Sequence, residues 1–299
     1  RGAALVRGSV LPFALIVSLA ADLAITNSMS ESNALPPSEY SVLTPRTDDP
    51  TVAFLRERIV RDGTRRDRVE LLGLGYHWQN AAMSHGFEDV LGFNPVRGAR
   101  YSSMVGAGDI ALVGARRFPP SFPSYRSPLA DILGLRFIVT GVPISEIDQR
   151  LKAGDLTEIA SFGENRVYEN PRALPRARIV PRAAPFDPSV VLRGFPEDFD
   201  PARLVLVDGP VPTRTSEGVA RIVRYTSNLV EVETETVSGG IMVLADAWHP
   251  WWVARIAGQV IPIRRAYGVV RAVEVPAGKA TVTFTFEPFA GALKQLTRS

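Results

Sequence analysis

The stretch that decides the fold is residues 246–288, which read DAWHPWWVARIAGQ at 246–259, YGVVRAVEVPAGK at 267–279 and TVTFTFEP at 281–288. Apolar residues alternate with others in each piece, with the period of two that is typical of a half-buried β-strand. Ala-Gly-Gln lies at the end of the first piece and Pro-Ala-Gly near the end of the second, and both tripeptides favour turns. We therefore predict short strands that form a C-terminal antiparallel β-sandwich over residues 183–299.

Three tryptophans lie at the start of this stretch. Alternation along the strand places Trp252 on the same face as Ala254, so we expect Trp252 in the core and Trp251 on the opposite face. An indole can stack on a sugar ring, and it can equally supply buried area to a small core. Trp248, Trp251 and Tyr267 are therefore candidate contacts to a glycan.

Composition limits the function classes. The chain has 299 residues with 45% hydrophobic content and a formal net charge of +3, so a pI of 9.4 is a poor argument for binding nucleic acid. It contains no cysteine, which excludes disulfides and thiolate chemistry from this sequence. We predict no nucleic-acid partner.

An apolar run near the N-terminus, residues 10–25, predicts a membrane helix. Extended back towards residue 3 it is long enough to cross a bilayer, and Arg1 and Arg7 place its N-terminal end in the cytoplasm by the positive-inside rule. A signal peptide and a buried soluble helix are the alternatives. On the first interpretation residues 1–27 are the last transmembrane helix, and everything after residue 27 is extracytoplasmic.

The middle of the chain, residues 28–182, predicts a mixed α/β domain. It begins with a polar linker over 28–50, followed by a short amphipathic helix over 51–61 and a strand at 68–73. The predicted fold class is therefore α+β: a transmembrane helix, a mixed α/β segment and the sandwich.

A proline-rich corner follows the second buried strand of this domain. Residues before Pro171 and Pro175 avoid the helical region, so the chain turns twice within a few residues. Asn170 and Glu169 can satisfy buried backbone groups in a rigid corner, and the alternative is that they face a ligand.

Catalytic and cofactor motifs are weak. Gly106 and Gly108 imitate a dinucleotide loop, but Pro119 and Pro120 leave no room for the helix that must follow. The three histidines are scattered, so no metal site is predicted. We assign no catalytic residue, cofactor or metal ligand.

Several of these motifs, in the same order, resemble the YfhO family of bacterial polytopic membrane proteins. The similar stretches are residues 78–95, 129–140, 166–180 and 246–288; RVYENPRALPRARIV at 166–180 is the most similar of them. The resemblance implies a GT-C type glycosyltransferase of the bacterial inner membrane, which takes a sugar from a polyprenyl-phosphate donor on the extracytoplasmic side.

The family's catalytic carboxylate lies on an early loop, so none is carried over to this chain. The resemblance implies that these residues cover the membrane active site or engage a cell-envelope glycan acceptor. The alternative is a non-catalytic surface protein, tethered to the lipid bilayer by one helix, whose sandwich binds carbohydrate or a protein partner.

Overall fold

The computed structural model describes residues 2–28, 37–92, 98–106, 115–191, 193–196, 198–211 and 216–296. Residues 29–36 of the predicted linker, and the dinucleotide-like stretch after Gly106, lie outside these residues. The described residues confirm the α+β class, with one long N-terminal helix and a body dominated by strands.

Helix α1, Gly2–Ser28, is long and apolar enough to span a membrane. At 1.5 Å per residue its 27 residues extend about 40 Å, which exceeds a hydrocarbon core of about 30 Å. The window Val10–Asn27 has a mean hydropathy of 1.8, and none of it is buried against the rest of the protein. The alternative of a buried soluble helix does not fit this exposure.

The first half of the body is a four-stranded sheet with short helices around it. Its strands are β1 (Arg68–Leu72), β2 (Leu135–Thr140), β3 (Thr157–Phe162) and β4 (Asn165–Glu169), in the order β1-β2-β4-β3. Strands β1 and β2 are parallel, and the other pairs are antiparallel. The helices are α2 (Pro50–Arg58), α3 (Ala81–Ser84), α4 (Ala99–Val105), α5 (Pro128–Ile132) and α6 (Ile144–Ile147).

Helix α2 shows why the sequence folds this way locally. Asp49 caps it by accepting hydrogen bonds from the amides of Thr51 (2.9 Å) and Val52 (3.0 Å), and Pro50 occupies the first turn. The predicted helix over 51–61 is confirmed, although it ends three residues earlier, at Arg58.

The second half contains two further sheets. The six-stranded sheet has the order β5-β10-β14-β13-β7-β6, and the five-stranded sheet has the order β12-β11-β15-β9-β8. The six strands are β5 (Ala177–Val180), β6 (Arg182–Pro185), β7 (Leu204–Val207), β10 (Gly240–Ala247), β13 (Arg264–Ala266) and β14 (Val270–Val275). The five are β8 (Gly218–Tyr225), β9 (Leu229–Thr236), β11 (Trp252–Ile256), β12 (Gln259–Ile261) and β15 (Gly278–Phe286). Helices α7 (Pro188–Val191) and α8 (Pro288–Leu296) complete the chain as described.

Strands β5, β10 and β14 of the six-stranded sheet are buried on both faces. On β10, Ile241 and Val243 belong to a central apolar cluster shared with the four-stranded sheet, whereas Met242 and Leu244 belong to a C-terminal cluster shared with the five-stranded sheet. A strand covered on both faces reads as a continuous apolar run, as β10 does. The expected boundary between 182 and 183 falls inside β6, and β5 and β6 are strands of this one sheet.

The three strands predicted from residues 246–288 are present but belong to different sheets. Strands β11 and β15 pair in the five-stranded sheet, with Trp252 opposite Phe286, while β14 pairs with β10 in the six-stranded sheet. Trp252 packs against the C-terminal cluster together with Ala254, which confirms the predicted face.

A buried ionic group, the Asp246 cluster, joins the two halves. The Asp246 carboxylate accepts hydrogen bonds from Arg176 (2.7 Å), Arg271 (2.8 Å), Arg68 (3.2 Å) and the Tyr225 hydroxyl (3.0 Å). Burial alone would raise the pKa of Asp246, but the three guanidinium charges outweigh it and hold that pKa below its usual range. Arg68 lies on the four-stranded sheet, Asp246 and Arg271 on the six-stranded sheet and Tyr225 on the five-stranded sheet, so the cluster fixes the sheets relative to one another.

Candidate functional site

The proline corner builds one side of a surface groove. Asn170 is fully buried, and its Nδ2 donates to Asp131 Oδ1 (2.8 Å) and to the Leu135 carbonyl (3.1 Å). Its Oδ1 accepts from the backbone amide of Arg172 (3.1 Å). Asn170 therefore exposes no surface to a ligand in this structure, which fits the rigid-corner interpretation and not the alternative of a ligand contact. Its role is to hold the corner that presents Arg172.

Arg172 is held in place at three points. Its Nε donates to Asp131 Oδ2 (3.3 Å), its Nη1 to the Asp155 carbonyl (2.9 Å) and its Nη2 to the Tyr125 carbonyl (3.3 Å). The Asp155 carboxylate also lies 3.7 Å from Arg172 and 3.4 Å from Arg126. A guanidinium fixed by backbone and carboxylate groups keeps a single orientation, as recognition of a polar ligand requires.

Two adjoining cavities form this site, which we name the Arg172 groove. The first has a volume of about 390 Å³ and the second about 610 Å³, and they share Pro123 and Arg150. The charged side chains on their walls are Arg126, Arg150, Arg172, Arg193, Asp131, Asp148 and Asp155.

The charges in the groove are not equally available. Asp148 is buried and accepts from the Ser124 hydroxyl (2.7 Å) and the Tyr125 amide (2.8 Å). Burial raises the pKa of Asp131, against the hydrogen bond from Asn170. Arg150 is exposed, and no carboxylate within the described parts of the chain pairs with its guanidinium. Arg150 is thus the cation best placed to meet a ligand.

Aromatic rings form another wall of the groove. Phe195 and Phe199 stack with ring centroids 5.0 Å apart and with their planes tilted by 34°. Both rings also pack edge-on against Tyr267, at 6.4 and 6.2 Å. Tyr267 is fully buried, and its hydroxyl donates to the carbonyls of Pro201 (3.0 Å) and Leu204 (3.1 Å). Tyr267, which the sequence offered as a glycan contact, exposes no surface to a ligand in this structure and supports the two phenylalanines from beneath.

The tryptophans lie elsewhere and are partly covered. The Arg265 guanidinium lies 4.1 Å from the ring centroid of Trp248. Trp251 packs against His249 (4.7 Å) and Phe286 (5.9 Å). It also lies against Gly291 of α8, so closely that a side chain at that position would collide with the indole. The structure does not bring Trp248 and Trp251 to the Arg172 groove.

Glu169 is half-exposed at the end of β4. Its carboxylate lies 3.7 Å from Arg136, whose guanidinium also donates to the Ala173 carbonyl (2.6 Å). Glu169 is therefore a weakly paired surface carboxylate close to the corner and is not among the groove's lining residues.

A third cavity, of about 520 Å³, lies on the outer face of the five-stranded sheet. Its walls carry Arg221, Glu233, Glu235 and Lys279 and no aromatic ring. The Lys279 ammonium and the Glu235 carboxylate lie 3.9 Å apart and are largely exposed, so this ion pair does little to hold the cavity walls in place. Among the described residues no group of three or more His, Asp or Glu side chains is placed to hold a metal ion.

The groove combines aromatic rings with carboxylate and guanidinium groups. Aromatic faces pack against the C–H groups of a sugar ring, while carboxylates and guanidinium groups bond its hydroxyls and any acidic substituent. Sequence reasoning missed Phe195, Phe199, Arg126 and Arg150 because no local motif links them. The signal that could have been followed was Arg172, which directly follows the Asn170–Pro171 corner.

Comparison with known proteins adds no family. The chain matches no protein-family model, no curated protein and no solved structure. The similarity to the YfhO family therefore depends on the sequence motifs alone.

Proposed function

We propose that this chain is the extracytoplasmic C-terminal region of a YfhO-like integral membrane protein, anchored in the bacterial inner membrane by α1. The observation that carries the proposal is the exposure of the whole apolar window Val10–Asn27. Apolar surface left in water costs about 25 cal/mol per Å², and a bilayer removes that cost.

The role of the folded body is to engage a cell-envelope glycan acceptor in the Arg172 groove. The stacked pair Phe195 and Phe199, the fixed Arg172 and the available Arg150 support a saccharide as the ligand. In the parent protein the sugar would come from a polyprenyl-phosphate donor, and the catalytic residues would lie outside this chain.

The alternative is a tethered surface protein that binds glycan without catalysis. A single anchoring helix is enough to hold a binding domain at a membrane, and this chain contains both α1 and the groove. An upstream sequence with many apolar spans favours the transferase, and an initiator methionine just before Arg1 favours the tethered module.

We further infer that the two C-terminal sheets pack face to face as a β-sandwich. Support comes from the C-terminal cluster, in which Met242 and Val273 of the six-stranded sheet pack with Val232 and Phe284 of the five-stranded sheet. Cross-sheet packing of alternate residues is the arrangement found in sandwiches.

Topology tests the anchoring. Alkaline phosphatase fused to the C-terminus should be active, because the enzyme folds only outside the cytoplasm. A cytoplasmic reporter at the same position should be inactive. An active cytoplasmic reporter with inactive phosphatase would contradict the orientation.

Glycan binding tests the groove. We would titrate the full chain in detergent with neutral and uronate-containing oligosaccharides, and we expect binding of the acidic ones. Arg150→Ala should weaken binding about tenfold or more, because a hydrogen bond to a charged group is worth about 1.5–3 kcal/mol. Arg224→Ala is the matched control, since it removes the same charge from an exposed position on β8. Equal effects of the two variants, or no binding at all, would contradict the proposal.

A further inference from the structure

The C-terminal helix α8 carries an apolar stripe on its outer side. Phe289, Leu293 and Leu296 are spaced by four and three residues, so they share one face of the helix. Their exposed fractions are 91%, 64% and 76%. Large apolar side chains are normally buried, and three neighbouring exposed ones mark a surface for interaction.

The way that α8 packs on the body keeps this stripe outward. Gly291 faces the Trp251 indole, and only a residue without a side chain fits there. Trp251 is backed by Phe286, with ring centroids 5.9 Å apart, and Phe286 by Trp252 at 5.2 Å. The glycine therefore fixes which face of α8 meets the body, and the apolar stripe lies on a different face.

We propose that the stripe of α8 inserts into the lipid surface of the membrane that α1 spans. This inference uses the anchoring by α1 and is independent of the glycan groove. Three features identify lipid as the partner of the stripe: its size, its chemistry and its connection to a membrane helix.

Size argues against a protein partner. A stable protein interface buries roughly 800 Å² on each side and about 20 residues or more, whereas the stripe has three side chains. A lipid surface has no such requirement, because each apolar side chain that enters the acyl region contributes independently.

Charge argues for anionic lipid. The sequence from 288 to 299 contains Lys294 and Arg298 and no acidic residue. Basic residues close in sequence to a membrane-binding segment are attracted to anionic headgroups.

Because α1 tethers the chain to the membrane, a helix as short as α8 is sufficient to bind the lipid surface. Nine residues are too few for tight binding from solution, but α1 would hold the chain at the surface and raise the effective concentration of α8 there.

Site-specific quenching tests the proposal. The sequence has no cysteine, so a single introduced cysteine carries an environment-sensitive dye without background. The full chain would be reconstituted into phosphatidylcholine–phosphatidylglycerol vesicles with and without lipids that carry a quencher on the acyl chain, placed either near the headgroup or near the chain end. The labelled variants are Leu293→Cys on α8, Val17→Cys on α1 and, as the control, Val237→Cys, which is 86% exposed at the end of β9.

We expect the quencher lipids to reduce emission at positions 17 and 293 and to leave position 237 unchanged. Replacing phosphatidylglycerol with phosphatidylcholine should reduce quenching at 293 but not at 17. Quenching at 17 without quenching at 293 would overturn the proposal and leave the anchoring intact. Loss of quenching at 17 would overturn the anchoring itself. Energy transfer between copies labelled at 293, without lipid quenching, would assign the stripe to a second copy and also overturn the proposal.

Discussion

Replacing Asp246 with Asn should destabilise the protein by about 3–5 kcal/mol, the usual cost of removing one partner from a buried ion pair. The carboxylate lies 2.7 Å from Arg176, 2.8 Å from Arg271 and 3.2 Å from Arg68. After the substitution Arg176 still pairs with the Glu88 carboxylate at 2.5 Å, but Arg271 has no other carboxylate within 4.0 Å in the described residues. The Arg271 side chain is 3% exposed, so the substitution leaves a buried charge without compensation.

The measurement is urea unfolding of the full chain in detergent, followed by tryptophan fluorescence. Asp208→Asn is the control, because Asp208 pairs with Arg265 at 3.4 Å but is 40% exposed, and we expect it to cost less than about 1 kcal/mol. Adding Arg271→Met to Asp246→Asn should recover part of the loss, since the uncompensated cation is then gone. The reasoning is refuted if Asp246→Asn costs no more than the control.

The Asp246 cluster also makes the stability of the protein depend on pH. Because the folded pKa of Asp246 lies below its ordinary value of about 3.9, its contribution to stability is present above that pH and is lost as the pH falls. The wild-type protein should therefore lose more stability below about pH 4 than Asp246→Asn does, which unfolding curves at several acidic pH values would measure.

Two further predictions concern single side chains. Trp252→Ala should cost about 3 kcal/mol, because the ring packs on the C-terminal cluster beneath Arg271 at 4.0 Å, whereas Trp251→Ala should cost less and loosen α8 at Gly291. Urea melts separate the two, and the reverse order would mean that the strand register is off by one. Burial raises the pKa of Asp89 to about 7, so its effect on stability is most favourable below about pH 4 and declines as the pH rises to about 7. Asp89→Asn keeps the acceptor oxygen, so it should stabilise the protein at pH 8 and have little effect near pH 4; equal effects at both pH values would contradict the assignment.

The local elements of the fold could be predicted because their causes are local. A run of apolar residues is enough to define α1, and alternation is enough to place β11, β14 and β15. The inward face of Trp252 follows from the same alternation. The capped helix α2 follows from its apolar spacing.

The assignment of strands to sheets could not be predicted, because it depends on pairing between distant residues. Alternation predicts a strand over Val270–Val275 but does not say that it pairs with β10 rather than with β11 and β15. Arg271 occupies a core-facing position of that strand, where a charged side chain is unfavourable unless it is paired. Its presence there is explained only by the hydrogen bond to Asp246, which the sequence does not reveal.

The candidate site was the least predictable part. Asn170 and Tyr267 stand out in the sequence, yet both are fully buried; Asn170 contacts Arg172, and Tyr267 contacts the pair Phe195–Phe199. The groove takes its walls from segments that are separated by up to about 80 residues, and only packing brings them together.

What the sequence by itself determined are the features that a few neighbouring residues decide: an apolar helix that fits a membrane, the strand periods and the rigid Asn170–Pro171 corner. What only the tertiary structure decided is where each of these lies relative to the others. Periodicity and turn chemistry act over a few residues, whereas sheet pairing and ionic clusters balance terms from the whole chain. The buried middle sheet, the Asp246 cluster and the Arg172 groove belong to that second class.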